Sequence, residues 1–215
     1  MYETLGLWRT LWLAPRWKIR KRFLVLVTAL RSAAGAPAMH GSQAAVEWTV
    51  LTEADIDAIR TAHPRVSDAE LRCRWHEGQE CVGGWVDGTL AHVRWDSDRR
   101  TYLPYLRRAF EPLTGDTFVV EAFTRPDFRG RGIHAQSTAF ALDRARARGF
   151  TRSITMVAWW NAPALHVLRD KAGREVAGSV GYWQLGPVIR HFATGSVRLA
   201  ADAVQLDQAR ATRPG

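Results

Sequence analysis

The sequence predicts an α/β (α+β mixed) layer protein, a mixed sheet with helices packed on its faces. Three observations lead there. Segments with strand and helix periodicity alternate along the chain in the order β-α-α-β-β, then an ambiguous stretch, then β-α-β-α-β-β. Asp87-Gly88 stands between two strand-like runs, which is the turn chemistry of a tight hairpin. Two helical runs, over residues 133–148 and 162–172, each stop at a glycine, Gly149 and Gly173.

Taken in order, residues 46–51 (Val-Glu-Trp-Thr-Val-Leu) alternate like a half-buried strand. Thr52 caps the helix that follows, with Asp55 at its third position and Ile56 and Ile59 on its apolar side. Ser67 stands three residues before Glu70, a capping box that opens a second helix running to about His76. Residues 80–86 and 89–95 are the hairpin strands. The stretch 102–110 is ambiguous, and a short helix after Pro104 is one reading. Residues 117–124 form an apolar, β-branched run and read as a buried strand. After the helix over 133–148 come a strand over 153–160, the helix over 162–172 and a strand over 175–185. Residues 188–199 offer one more strand, and no internal repeat is visible.

A length of 215 residues with 47% apolar side chains suits one domain of ordinary size plus an extension, and allows a real core. The expected division is a basic N-terminal extension and linker over 1–45, the domain proper over 46–200, and a C-terminal tail over 201–215. The net charge of +9 is unevenly placed. Residues 1–45 carry seven basic side chains against Glu3 alone, so the high pI reports mainly on the extension. Basic Lys18–Arg22, apolar 23–30 and small-residue-rich 32–38 partly imitate a secretion signal. Against that, the apolar run is short, Arg31 follows directly, and Trp8, Trp12 and Trp17 lie in a long charged lead-in. No run approaches the roughly 18 apolar residues that a membrane-crossing helix needs.

The extension reads as a basic amphipathic helix over about 3–14, a break at Pro15, a strand or helix packed on the domain, and a linker over 32–45. Peripheral membrane contact through 1–31 is an alternative reading of its Trp and Arg content. The charge also suits acidic proteins and nucleic acid. No helix-turn-helix, zinc finger or stacking-aromatic motif supports the nucleic-acid reading. Cys73 and Cys81 make no CxxC pair and no His spacing completes a metal set. They read as buried or idle thiols in a reducing compartment, so the expected location is cytoplasmic and no metal is expected.

The segment that carries chemistry runs from Phe118 to Gln136. A buried strand ends near Pro126, a basic loop with Gly130 and Gly132 follows, and a helix starts near Ile133. The first turn of a helix has unpaired N–H groups and the positive end of the dipole. Glycines there allow unusual φ angles and let an anion approach the backbone, and Arg129 and Arg131 add charge. This is a phosphate cradle, most naturally for a pyrophosphate. It is not a P-loop, which would end in Gly-Lys-Ser/Thr, and it is not the dinucleotide GxGxxG.

Arg129-x-x-Gly132-x-His134 resembles the Arg/Gln-x-x-Gly-x-Gly/Ala signature of the GNAT acyltransferases. The preceding Phe-Thr-Arg-Pro-Asp-Phe is similar to the end of that superfamily's fourth strand, and Asn161 to Gly173 is similar to its Asn-x-x-Ala helix. The resemblance covers about 46–190. It implies a central, mostly antiparallel mixed sheet with splayed strands 4 and 5 flanked by helices. It also implies an N-acyltransferase that takes acetyl-CoA or a longer acyl-CoA, with an acyl carrier protein as alternative donor, and a primary amine on a small molecule or peptide as acceptor. A donor-binding module without turnover is the third reading. Many relatives pair through their sheets, so a homodimer is a further expectation.

By the same resemblance, the backbone of Phe123, Thr124 and Arg125 would bind the pantetheine arm. Arg129, Gly130, Arg131, Gly132, Ile133, His134 and Ala135 would hold the pyrophosphate, and Asn161 would reach the arm across the splay. Three positions depart from the pattern. His134 replaces a small residue, Leu168 stands where many members carry a thiolate-protonating tyrosine, and Arg174 stands where they carry phenylalanine. A solution amine must lose a proton before attack, so a base is needed. Glu121, a carboxylate in an apolar strand, is the first candidate, and burial would raise its pKa. A structural ion pair with an arginine is the competing reading of the same residue. His166 and His92 are weaker choices. Tyr182 is the candidate to replace the missing acid, and Trp159, Trp160 and Trp183 are candidates to line a pocket.

Overall fold

The computed structural model describes residues 18–30, 45–171 and 173–207. The strands are β1 (Lys18–Ala29), β2 (Glu47–Leu51), β3 (Glu80–Val86), β4 (Thr89–Ser97), β5 (Thr101–Leu103), β6 (Arg108–Phe110), β7 (Asp116–Thr124), β8 (Arg152–Ala158), β9 (Glu175–Leu185), β10 (Val188–Gly195), β11 (Val197–Leu199) and β12 (Ala203–Leu206). The helices are α1 (Ile56–Ala62), α2 (Asp68–His76), α3 (Ile133–Ala147) and α4 (Ala162–Leu165), the last continued by a π-helical stretch over His166–Lys171. Eight strands form one sheet in the order β10-β9-β1-β8-β7-β4-β3-β2, and four form a second in the order β11-β12-β6-β5. Every pair in the large sheet is antiparallel except β7 with β8. This is the mixed, mostly antiparallel sheet that the sequence predicts.

The strand β1 lies inside this sheet, between β8 and β9, although the sequence reading places residues 18–29 in an extension ahead of the domain. The physical reason is visible in its burial. Phe23, Val25 and Val27 enter the largest core, shared with Phe118, Ile154, Val180 and the second sheet, while Leu26 packs on the opposite face against Val157 and Leu168. A strand buried on both faces reads as a continuous apolar run and shows no alternation. Two of its basic side chains sit over rings, Arg20 4.5 Å from Trp183 and Lys21 5.4 Å from Trp160. The expected helix over 3–14 and nearly all of the linker lie outside the described residues. At the other end, residues 203–206, expected in a tail, form β12, parallel to β6 and antiparallel to β11. In place of a helix after Pro104 there are two short strands, β5 and β6, joined by a turn with Arg107 at φ 57°.

The second sheet, α1 and α2 cover one face of the large sheet, with Val120 touching both of the cores they build. The other face carries α3 and α4, through Leu30, Leu142 and Ala145 beneath α3 and Leu26, Val157 and Leu168 beneath α4. Local signals hold: the Ser67 hydroxyl accepts from the Glu70 N–H at 3.2 Å, and Asp87 and Gly88 both take positive φ in the hairpin turn. Among the described residues no helix is long and apolar enough to cross a membrane.

What positions the site is the incomplete pairing of β7 with β8. Their ladder runs only from Asp116 opposite Arg152 to Val119 opposite Thr155, and then the strands part. A bulge stands at the same place. Trp95 faces Glu121 and Asp96 faces Val119, so Val120 is an extra residue on β7. A bulged strand bends, which turns β7 away from its neighbour. The closed end is pinned by Arg152, which donates to both Asp116 carboxylate oxygens at 2.6 and 2.7 Å.

Candidate active site

The loop after β7 has the geometry its composition predicts. The Arg125 N–H donates to the Ala91 carbonyl at 3.0 Å, and Pro126–Phe128 form a single 3-10 turn. Gly130 and Gly132 adopt φ of 78° and 77°, and Gly132 is the N-cap of α3. An L-residue there costs roughly 1–2 kcal/mol, so the glycines are what let the chain turn into the helix with its amides forward. Ala135 and Gln136 donate to the Gly132 carbonyl, and helix geometry leaves the N–H groups of Ile133 and His134 without acceptors within α3. Arg125 is clamped by Asp127 at 3.1 and 2.7 Å, and this bond holds the Asp127 carboxyl below its ordinary range. Arg129 is exposed and donates to the Thr124 carbonyl at 3.2 Å, with its guanidinium 5.9 Å from the Phe123 ring. Arg131 donates to the Asp127 carbonyl and lies over Phe128.

Between the parted strands is a cleft of about 170 Å³, lined on one side by Val119 to Ala122 and on the other by Thr155 to Ala158. Asn161, Ala164 and Leu168 close it from the α4 side, and His134 from α3. The cleft thus brings together Val119 to Ala122 of β7, His134 in the first turn of α3 and Asn161, whereas Phe123, Thr124 and Arg125 and the rest of the loop from Arg129 to Ala135 lie beyond its walls. Asn161 is also the cap of α4, its Oδ1 accepting from the Ala164 N–H at 3.3 Å. Leu168 is 5% exposed and belongs to the apolar wall, so this position presents no hydroxyl.

Glu121 lines the cleft and is engaged on its far side. Arg74 donates to its Oε2 at 2.7 Å, and His63 Nε2 is 3.3 Å from its Oε1. The expected carboxylate isolated in an apolar strand is therefore an ion-paired one, because the α1 and α2 helices bring Arg74 and His63 over that strand. His63 is 7% exposed, its Nδ1 has no partner, and its ring lies 4.0 Å from that of Phe123. Sequence reasoning missed both residues, since only the fold joins them to Glu121. Tyr182 is not brought to the cleft. It is buried in β9 on the face that carries the second sheet, under the Arg107 guanidinium and beside His191. His166 is exposed and paired with Asp170 at 2.8 Å, and His92 is buried with Nδ1 2.8 Å from the Thr124 hydroxyl. Trp159 and Trp160 are more than half exposed and lie outside the cleft walls.

The sequence also gives little sign of a polar layer under α3. Arg94 is 2% exposed and pairs with Asp96, while Arg174 is 3% exposed and reaches the cleft beside it. Burial and the charges of Arg94 and Arg174 push the His134 imidazole down to about 4, so it is neutral at physiological pH. Burial, then the neighbouring His134 and Arg94, hold His92 well below the ordinary imidazole range.

No protein-family model matches the sequence, and no curated protein matches it. Solved structures do. A GNAT-family protein from Novosphingobium aromaticivorans superposes with a TM-score of 0.52 at 16% identity, over 77% of this chain and 65% of that one. A GCN5-related N-acetyltransferase from Sphaerobacter thermophilus superposes with a TM-score of 0.53 at 14% identity, over 90% of this chain and 58% of that one. The chain therefore has the GNAT acyltransferase fold. It spans less than two thirds of the length of both of these proteins.

Proposed function

We propose that the protein is an N-acyltransferase that moves an acyl group from acyl-CoA to a primary amine. The observation that supports this most is the alignment of the cleft between β7 and β8 with the glycine-bearing loop and the N-terminus of α3. One end suits a pyrophosphate and the other a narrow amide-bearing arm. In this reading the free amides of Ile133 and His134, with Arg129 and Arg131, hold the pyrophosphate, while the Ala135 N–H is given to the Gly132 carbonyl. The groups of Phe123, Thr124 and Arg125 that face away from β4 would hydrogen-bond the arm, the Arg125 N–H being already given to the Ala91 carbonyl, and Asn161 would meet it from α4. The donor supplies an activated thioester. A β7 N–H beyond the last rung would polarise its carbonyl, as an oxyanion donor does.

Direct attack requires a neutral amine, and Glu121 is placed to receive its proton, directly or through water. His63 stands behind Glu121 and orients it. With Leu168 in the wall and Tyr182 on the other face, the thiolate takes its proton from solvent. The same absence of a hydroxyl favours a second reading, a domain that binds the donor without turnover. Thiol release from acetyl-CoA over a panel of primary amines separates the two. Amine-dependent release that falls in Glu121→Gln supports the enzyme, and binding of acetyl-CoA with no release over the whole panel supports the silent domain.

A further inference from the structure

The cleft holds a charge that this reading does not use. Arg94 commits its guanidinium to Asp96, with Nε and Nη2 at 2.6 and 2.9 Å from the two carboxylate oxygens. Among the described residues the Arg174 guanidinium donates only to the carbonyl and hydroxyl of Ser153, both at 3.2 Å, and its Nε has no partner. Among the described residues, no carboxylate lies within ion-pair distance of Arg174. Of these two nearly inaccessible guanidinium groups, only that of Arg94 is paired with a carboxylate. A cation removed from water is costly unless an anion or a full set of acceptors replaces the water. Burial, reinforced by Arg94, lowers Arg174 to about 9, which leaves it a cation at neutral pH. The neutral His134 beside it adds no second charge.

Position adds to charge. Ser153, which holds Arg174, pairs with Thr117 two rungs inside the end of the β7–β8 ladder. Arg174 therefore marks the closed end of the cleft, and the Gly130–Gly132 loop marks the open one. A chain threaded from the loop brings its far end toward Arg174. The adjoining wall is apolar, formed by Val157 and Leu168, so methylenes fit beside the charge.

We propose that Arg174 receives a carboxylate carried by a substrate of this cleft, at the tip of a dicarboxylic acyl group on the donor or on an amino-acid-like acceptor. The proposal rests on the acyl-transfer reading of the same site. A guanidinium binds a carboxylate through two parallel N–H···O bonds, a geometry that a carboxylate matches and a methyl group does not.

The test compares acetyl-, butyryl- and succinyl-CoA on the full chain, because butyryl and succinyl groups have the same length and differ in the terminal carboxylate. The donor form predicts that succinyl-CoA binds at least about tenfold tighter than butyryl-CoA, as a charge-assisted bond gives. That ratio falls toward one in Arg174→Gln and is partly kept in Arg174→Lys. The acceptor form predicts no such ratio. With acetyl-CoA as donor, amino acids would instead show a lower KM than their decarboxylated amines, and Arg174→Gln would remove the difference. If acetyl-CoA binds but the wild-type protein prefers a carboxylate in neither arm, the inference is overturned and the acyl-transfer reading stands. If no CoA ester binds, that reading fails and takes the inference with it. The wild-type comparisons decide even where Arg174→Gln does not fold.

Discussion

Val119 opposite Thr155 is the last rung between the two parallel strands, and the bulge at Val120 begins at the next residue. The amides of β7 past that point which face away from β4 have no strand to pair with. Hydrogen exchange should find the peptide covering 120–124 less protected than 116–119 in the free protein, with a clear gain on adding acetyl-CoA. Equal protection of both halves, unchanged by the ester, would mean that the strands close in solution and no donor lies between them.

The Glu121 carboxylate touches Arg74 and His63 and borders the cleft. As the base, its loss in Glu121→Gln should lower kcat by roughly 10²–10⁴-fold while the donor dissociation constant moves little. A variant within about threefold of wild type in kcat, but with a lower melting temperature, would assign Glu121 to a structural ion pair.

Much of this site is legible in the sequence because its signals are local. The strand runs around Asp87-Gly88 and the two loop glycines each depend on a few adjacent residues, and both form as expected. The parts that were not legible depend on distant partners. In β4, His92, Arg94 and Asp96 alternate with Ala91, Val93 and Trp95, a pattern that reads as one wet face. Covering that face with α3 makes it a buried polar layer instead. The Arg74 and His63 partners of Glu121 come from helices some fifty residues away in sequence. Residues 18–29 read as lead-in because a strand buried on both faces lacks the alternation that marks a strand.

Leu26 is fully buried between β8 and β9, so β1 is a structural requirement of the sheet. Leu26→Ala should cost about 2–5 kcal/mol in chemical denaturation, the range for emptying a core site. A cost below about 0.5 kcal/mol, the level of a surface change, would show that β1 is dispensable.

Glu80 ties β3 to α3 by accepting from Arg144 at 2.7 and 3.0 Å and from Arg148 at 3.0 Å. The Arg144 hydrogen bond, only partly opposed by burial, holds its carboxyl below the ordinary 4.5. A carboxyl whose pKa is depressed by folding adds stability that is complete above the unfolded value and fades as pH falls through the folded one. Glu80→Gln should therefore be less stable than wild type at pH 7, with the gap closing as pH falls below 4.5. A gap that stays constant from pH 7 to pH 3 would contradict the assignment.

If the loop and cleft form an acyl-CoA site, acetyl-CoA should raise the melting temperature of the purified protein, and Arg129→Ala should weaken the effect. Ligand at about 100 times its dissociation constant adds roughly 2.7 kcal/mol to the folded state, which shifts the melting temperature by several degrees. The wild-type protein should show that shift, and Arg129→Ala a much smaller one at the same concentration. No shift in the wild-type protein with acetyl-CoA or any longer acyl-CoA, or an equal shift in the variant, would contradict an acyl-CoA site there.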